Sequence, residues 1–185
     1  MSLVDERLPA GVALRPLDRH SDDRGDLVEV FRRSWRLEAD PVQWNLVRSR
    51  AGSLRGVHVH ARHADYLLAV SGTLQLALKD IRPDSPSFGL GCELELSGEV
   101  PTGVVIPPGV AHGFHFPADT TYLYSVTAYW DLSDELGCAW NDPALGFGWK
   151  VADGVRLSER DRAAGSYDDM VRAWSAEVTQ PAGHG

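Results

Sequence analysis

The stretch RGVHVHARHADYLLAVSG, Arg55 to Gly72, decides the fold. His58 and His60 are two residues apart, which on a period-two strand puts both imidazoles on one face of a sheet. Asp65 follows, the apolar run Tyr66-Leu67-Leu68-Ala69-Val70 reads as a second strand, and Gly72 closes it. Further on, Pro107-Pro108-Gly109-Val110-Ala111-His112 supplies another histidine just past a rigid Pro/Gly turn. These two segments can gather three imidazoles and a carboxylate around one point.

Outward from this stretch, short strand-like runs alternate with Gly, Pro and polar punctuation. Residues 12–17 are extended, 20–25 form a polar turn, and 27–31 are β-branched and aromatic enough for a strand. In residues 42–47 Gln43, Asn45 and Val47 share one face, and Val42, Trp44 and Leu46 the other. An unpaired buried amide costs about 1–3 kcal/mol, so Gln43 and Asn45 call for a ligand or a structural hydrogen-bond network. Residues 73–81, with Leu74, Leu76 and Leu78 alternating, precede a loop at 82–86, and runs at 92–96, 103–106, 111–116 and 121–130 continue the series. Only 168–177, with Met170, Val171 and Trp174 on one side, reads as a helix. The pattern predicts an all-β sandwich or closed barrel with a short C-terminal helical segment. One domain is expected over residues 1–178, with 179–185 a disordered tail.

The net charge of −8 argues against a nucleic-acid or anionic-membrane partner. The first 62 residues nevertheless hold eleven of the 18 basic residues, all arginine, so a locally basic pocket for a small anion is compatible with the sequence. Cys92 and Cys138 have no metal or redox spacing, which fits a reducing compartment. Without a signal-peptide core or an apolar run near the length of a membrane span, a soluble, cytoplasmic protein is expected.

The two histidine segments resemble the paired motifs of the cupin jelly-roll barrel, the double-stranded β-helix. His58, His60, Asp65 and Gly72 fill the first motif; Pro107, Gly109 and His112 fill the second. A longer resemblance covers roughly residues 20–162. The blocks DDRGDLVEVF, VQWNLVRSRAGSLRGVH, LKDIRPDSPSFG, VIPPGVAHGF, YLYSVTAYW, WNDPALGFGW and LSERD follow one another as in the dTDP-4-dehydrorhamnose 3,5-epimerase family. The resemblance implies a homodimeric cupin without a catalytic metal, acting on a dTDP-linked 4-keto-6-deoxy sugar. A ketone acidifies the hydrogens on its neighbouring carbons, so a base can remove one and an acid on the opposite ring face can return it inverted. By the same resemblance His58 is the base, oriented by Asp161, and Tyr124 is the opposing acid. Arg24, Arg55, Gln43 and Asn45 then hold the diphosphate and thymine, with Glu29 also on the nucleotide side, Tyr129 or Trp130 stacks on the base, and His112 lines the sugar pocket. Simpler roles stand beside these. Asp161 suits a helix cap or an ion pair with Arg160 or Arg162, Tyr124 suits an ordinary barrel aromatic, and Arg24 suits a solvated turn. His20, His63, His115 and His184 match no motif and are expected to be structural or exposed.

One departure stands out. Where the family has a glutamine and a lysine that stabilises the enolate, this chain has His60 and Asp65, and neither Lys79 nor Lys150 is placed to substitute. An ammonium stabilises a developing oxyanion and an ionised carboxylate repels it. The same changes complete a possible ligand set for one divalent transition metal, His58, His60, Asp65 and His112. Full ligation would take His58 away from its role as base. Three functions therefore stand at this point: a metal-free nucleotide-sugar epimerase or isomerase, a metal-dependent cupin enzyme, and a non-catalytic ligand-binding cupin.

Overall fold

The computed structural model describes residues 8–37, 40–151 and 154–179. Its strands are β1 (Ala13–Pro16), β2 (Arg19–Asp22), β3 (Gly25–Val28), β4 (Gln43–Ser49), β5 (Ser53–Val59), β6 (Asp65–Ser71), β7 (Thr73–Asp80), β8 (Gly91–Ser97), β9 (Thr102–Ile106), β10 (Val110–Phe116), β11 (Thr120–Val126) and β12 (Leu136–Gly137). Two helices follow, α1 (Glu159–Arg162) and α2 (Tyr167–Thr179). The strands form two five-stranded sheets, β1-β9-β6-β11-β4 and β12-β5-β10-β7-β8, with β2 and β3 a separate hairpin. Every strand neighbour within these sheets is antiparallel. This is the expected all-β jelly-roll with a short C-terminal helical segment.

The alternation read from the sequence sets the layers. Leu74, Leu76 and Leu78 of β7 point inward and join Leu67, Val104, Ile106 and Phe116 between the sheets. The outer face of the second sheet carries Val57, Val59 and Ala111, which α2 covers with Met170 and Trp174, one helical turn apart. The start of α2 is tied by a reciprocal cap, in which Ser166 Oγ accepts from the Asp169 amide and the Asp169 carboxylate accepts from the Ser166 amide. On the outer face of the first sheet, Tyr66 and Leu68 are covered by the segment that carries Val28, Val30, Phe31 and Trp35.

Four boundaries differ from the sequence expectation. Residues 20–25 are not one turn: Arg19–Asp22 and Gly25–Val28 pair as a hairpin, with the bend at Asp23-Arg24 held by the Asp22 carboxylate on the Arg24 amide. Val30 and Phe31 leave that hairpin to cover the sheet. β11 stops at Val126 because Thr127 turns away to bond Ala64, its amide donating to the Ala64 carbonyl and its hydroxyl accepting from the Ala64 amide. α2 extends to Thr179; the rest of the expected disordered tail, with His184, lies outside the described residues. Among the described residues no helix is long and apolar enough to cross a membrane.

The β7–β8 connection is organised by Asp80, which is fully buried. Its carboxylate accepts hydrogen bonds from the amide, Nε and Nη2 of Arg82 and from the hydroxyls of Ser85 and Ser87. Burial opposes ionisation, but these donors outweigh it and bring the carboxyl down to about 2. The folded value lies below the ordinary 3.8, so this contribution is complete above that value and is lost as pH falls toward 2. Asp80→Asn is expected to cost about 3 kcal/mol at neutral pH, measured by urea unfolding, and to flatten the loss of stability between pH 4 and 2.

Candidate active site

The two sheets enclose a cleft of about 430 Å³ at the end where β6 and β10 begin and β11 finishes. β5 contributes both Arg55 and His58 to it, although residues three apart on a regular strand face opposite ways. The register explains this: His112 of β10 pairs with His58, but Phe114 pairs with Arg55, so β5 carries one extra residue and its phase flips. On its other edge His58 faces Gly137 of β12. A Cβ at that position would lie 2.7 Å from the Val57 carbonyl and 3.1 Å from His58 Cδ2, so only glycine leaves the imidazole its place.

His58 Nε2 is 2.7 Å from Asp161 Oδ1. Asp161 is buried at the start of α1, where Ser158 Oγ accepts from its amide at 3.0 Å. The LSERD block thus caps a helix with Ser158 and leaves the Asp161 carboxylate to the histidine. Burial opposes ionisation of Asp161, but the hydrogen bond to His58, with the charge of Arg160 nearby, holds its carboxyl below the usual range. Arg160 Nη2 also approaches the ring, 2.6 Å from Nε2 and 3.3 Å from Nδ1, while Nη1 donates to Glu135 Oε2 at 2.9 Å. A guanidinium only donates and a carboxylate only accepts, so Nε2 cannot serve both. The buried Asp161 takes the Nε2 proton, leaving the Nδ1 lone pair as the basic site, with the half-exposed Arg160 beside it.

The first sheet supplies the opposite wall. Tyr124 of β11 lines the cleft, and burial, followed by the charge of Asp65, raises its phenol so that it keeps its proton. The floor is formed by His60, Asp65 and His112, all buried. Their ligating atoms lie within 4.8 Å of one another. Burial, together with neighbouring histidines, pushes the imidazoles of His60 and His112 down to about 3, and burial pushes the Asp65 carboxyl up to about 7. His58 is not in this group. The four-ligand metal set read from the sequence is corrected here, because the first of its histidines is turned to Asp161.

Several site residues carried no sequence signal. His63, expected to be structural or exposed, is buried in the cleft wall, stacks on His60 at 4.0 Å and lies 2.9 Å from Asp134 Oδ2. Glu135 accepts from both Arg160 and the indole of Trp130. Both acids sit in an irregular stretch with no periodicity to reveal them.

Of the expected binding residues, Arg55, His112 and Trp130 line the cleft. Arg55 donates from Nε to Ser49 Oγ at 3.0 Å. Gln43 and Asn45 are not among the cleft-lining residues: Gln43 bonds Asn45 and accepts from the Trp130 amide, while Asn45 Nδ2 is buried with no hydrogen-bond partner. Arg24 and Glu29 are not brought to the cleft. Arg24 stands at the tip of the exposed hairpin paired with Asp22, and Glu29 is paired with Arg32. Tyr129 is 78% exposed and also outside. Lys79 donates to the Leu145 carbonyl away from the cleft and Lys150 lines a separate depression, so no lysine stands in for the one the chain lacks.

The model of the family described as dTDP-4-dehydrorhamnose 3,5-epimerase matches residues 8–169. A protein of that description from Neisseria gonorrhoeae is 35% identical over 170 residues, covering 88% of this chain but 52% of the relative, so the chain spans about half that relative's length. One from Pseudomonas aeruginosa is 36% identical over 156 residues, covering 80% of this chain and 86% of the relative. Among solved structures, a dTDP-6-deoxy-D-glucose-3,5-epimerase from Legionella pneumophila in complex with dTDP-4-keto-L-rhamnose is similar, with TM-score 0.81 and 30% identity. That match covers 91% of this chain and 92% of the Legionella chain.

The wall beneath His60 depends on Asp134. Its carboxylate accepts from the amides of Ala61 and Arg62 and pairs with His63, and its carbonyl bonds His60 Nδ1. Asp134→Ala strands the part-buried amides of Ala61 and Arg62 and the buried His63, and is expected to lower stability by about 3 kcal/mol, checked by chemical unfolding with the parent as reference.

Proposed function

The chain belongs to the dTDP-4-dehydrorhamnose 3,5-epimerase family, and we propose that it inverts a carbon beside the ketone of a dTDP-4-keto-6-deoxyhexose by removing and returning a proton. The observation that carries this is the 2.7 Å pair of His58 and Asp161 in one wall of a cleft whose other wall presents Tyr124. Asp161 fixes the tautomer, so His58 Nδ1 takes the proton from the sugar carbon and the imidazolium is stabilised by the carboxylate. The phenol of Tyr124, kept protonated by burial, returns a proton from the other ring face. Arg160 lies over the His58 ring edge, within 3.3 Å of Nδ1, with a half-exposed side chain, so substrate entry displaces it, and its freed guanidinium joins Arg55 as a partner for the diphosphate. Trp130, 46% exposed at the cleft, offers a stacking face for thymine.

The working form in this proposal is a homodimer in the cytoplasm. An isolated two-stranded hairpin is marginal in water, yet β2 and β3 project as one, with Leu27 59% exposed. The edge strand β4 also leaves Trp44 and Leu46 exposed. A second copy would cover both and give Arg24 and Glu29 a site to reach. The lack of a disulfide-type cysteine spacing supports the reducing compartment.

In heavy water the protein is expected to exchange deuterium into a carbon beside the ketone of dTDP-4-keto-6-deoxyglucose, followed by NMR. Absence of exchange, with a known epimerase as positive control, would contradict the proposal for that sugar. His58→Asn should slow exchange by about 10²–10⁴-fold, the scale of general base catalysis. Tyr124→Phe should behave differently, retaining exchange at the abstracted position while losing most inversion, as read from the configuration of the products.

A further inference from the structure

We propose that Nε2 of His60, Nε2 of His112 and the carboxylate of Asp65 form a binding site for one divalent transition-metal cation on the cleft floor, with His58 outside it.

The two imidazoles are prepared for this by what holds their other nitrogens. His60 Nδ1 donates to the Asp134 carbonyl at 3.0 Å, and His112 Nδ1 donates to the Val110 carbonyl at 3.1 Å. With both protons so placed, the Nε2 lone pairs are free and directed at one carboxylate oxygen: Asp65 Oδ2 is 3.6 Å from His60 Nε2 and 3.8 Å from His112 Nε2. A carbonyl behind each ligating histidine is the outer-shell arrangement that fixes ring and tautomer in metal sites. Two ligands each about 2.1 Å from a cation lie about 3.0–3.4 Å apart at octahedral or tetrahedral angles. The two imidazole–carboxylate distances therefore need to shorten by less than an ångström, and all three ligating atoms already lie within 4.8 Å of one another.

The carboxylate has no other use. Among the described residues no hydrogen-bond donor meets the Asp65 carboxylate, although the residue is only 6% exposed. A buried acid facing two lone pairs without a donor is an arrangement that a bound cation resolves. Two histidines and one carboxylate with open positions suit Fe(II), Mn(II), Co(II), Ni(II) or Zn(II). The neighbouring cluster of His60, His63 and Asp134 is spent by contrast. Its carboxylate already accepts from two amides and from His63, and the His60 nitrogen on that side is held by the Asp134 carbonyl.

The placement removes the conflict between ligand and base, since His58 turns its Nε2 to Asp161. Asp65 stands where the family resemblance puts an enolate-stabilising lysine, and a cation held there is a Lewis acid at the same point. That role rests on the proposed epimerase function; the site itself does not.

Metal binding is read without any sugar. Protein produced in medium supplemented in turn with each of the five metals is desalted and analysed for metal, and the stripped protein is titrated with Co(II) while its visible spectrum and thermal unfolding are followed. Close to one equivalent per chain is expected, with visible Co(II) bands and a rise in melting temperature. Asp65→Asn and His112→Asn should each weaken retention at least 100-fold, whereas His58→Asn and His63→Gln should still hold one equivalent. Stripped Asp65→Asn should melt no lower than the stripped parent, because the lost carboxylate had no partner, so a loss of binding in it is not a loss of fold. Less than a tenth of an equivalent with every metal, or full retention by Asp65→Asn, would overturn the site. Loss of metal in His58→Asn or His63→Gln would move it elsewhere and overturn it equally. A parent that binds metal but exchanges no deuterium refutes the epimerase function and leaves this site standing.

Discussion

The pairing of β5 with β10 is the constraint from which the site follows. It sets His58 opposite His112 and, through one extra residue near Gly56-Val57, turns Arg55 to the same side as His58. β10 then fixes β7 on its far edge, and the Pro107–Gly109 turn that opens β10 is tied back by hydrogen bonds from the Gly109 amide to the His60 carbonyl and from the Ile81 amide to the Gly109 carbonyl. A one-residue slip of this pair would send every side chain on it to the wrong face. α2 reinforces the arrangement from outside, where the Trp174 indole donates to the His60 carbonyl at 3.3 Å.

Within that frame the cleft divides its ionisable groups by environment. His58 has charged company in Asp161, Arg160 and Glu135. His60 and His112 lie deeper, are kept neutral by burial, and face an acid that burial also disfavours as an anion. The separation gives one short motif, His58-Val59-His60, two settings: the first histidine is paired with Asp161, the second belongs to the His60–Asp65–His112 floor.

Much of this was legible in the sequence because it rests on local pattern. The alternation around Leu74, Leu76 and Leu78 gave an inward strand face, the spacing of Met170 and Trp174 gave the helix, and the two histidine motifs gave the strands that meet. The LSERD block pointed to Asp161, and the Ser158 cap on its amide explains how a residue at a helix start keeps its carboxylate for His58. What was not legible depends on long-range placement. His63 lies on a loop, Asp134 ends a single 3-10 turn and Glu135 follows it, and stretches so short have no period to mark an inward side chain. The bulge in β5 has no signature beyond a glycine. Arg24 and Glu29 were assigned by block order, but a hairpin that leaves the barrel carries them away from the cleft, and within one chain nothing brings them back.

The central claim is that base and electrophile are separate: His58 handles the proton, and the His60–Asp65–His112 floor faces the ketone oxygen. The most direct measurement is a crystal structure with a bound dTDP-linked 4-keto sugar or its unreactive analogue, with diffraction recorded on both sides of the absorption edge of the bound metal. The account predicts an anomalous peak within about 2.0–2.3 Å of both Nε2 atoms and an Asp65 oxygen. It also predicts the sugar ketone oxygen turned toward that peak and His58 Nδ1 directed at the neighbouring carbon. A peak ligated by His58, or a sugar ring lying away from the His58–Asp161 pair, would contradict it.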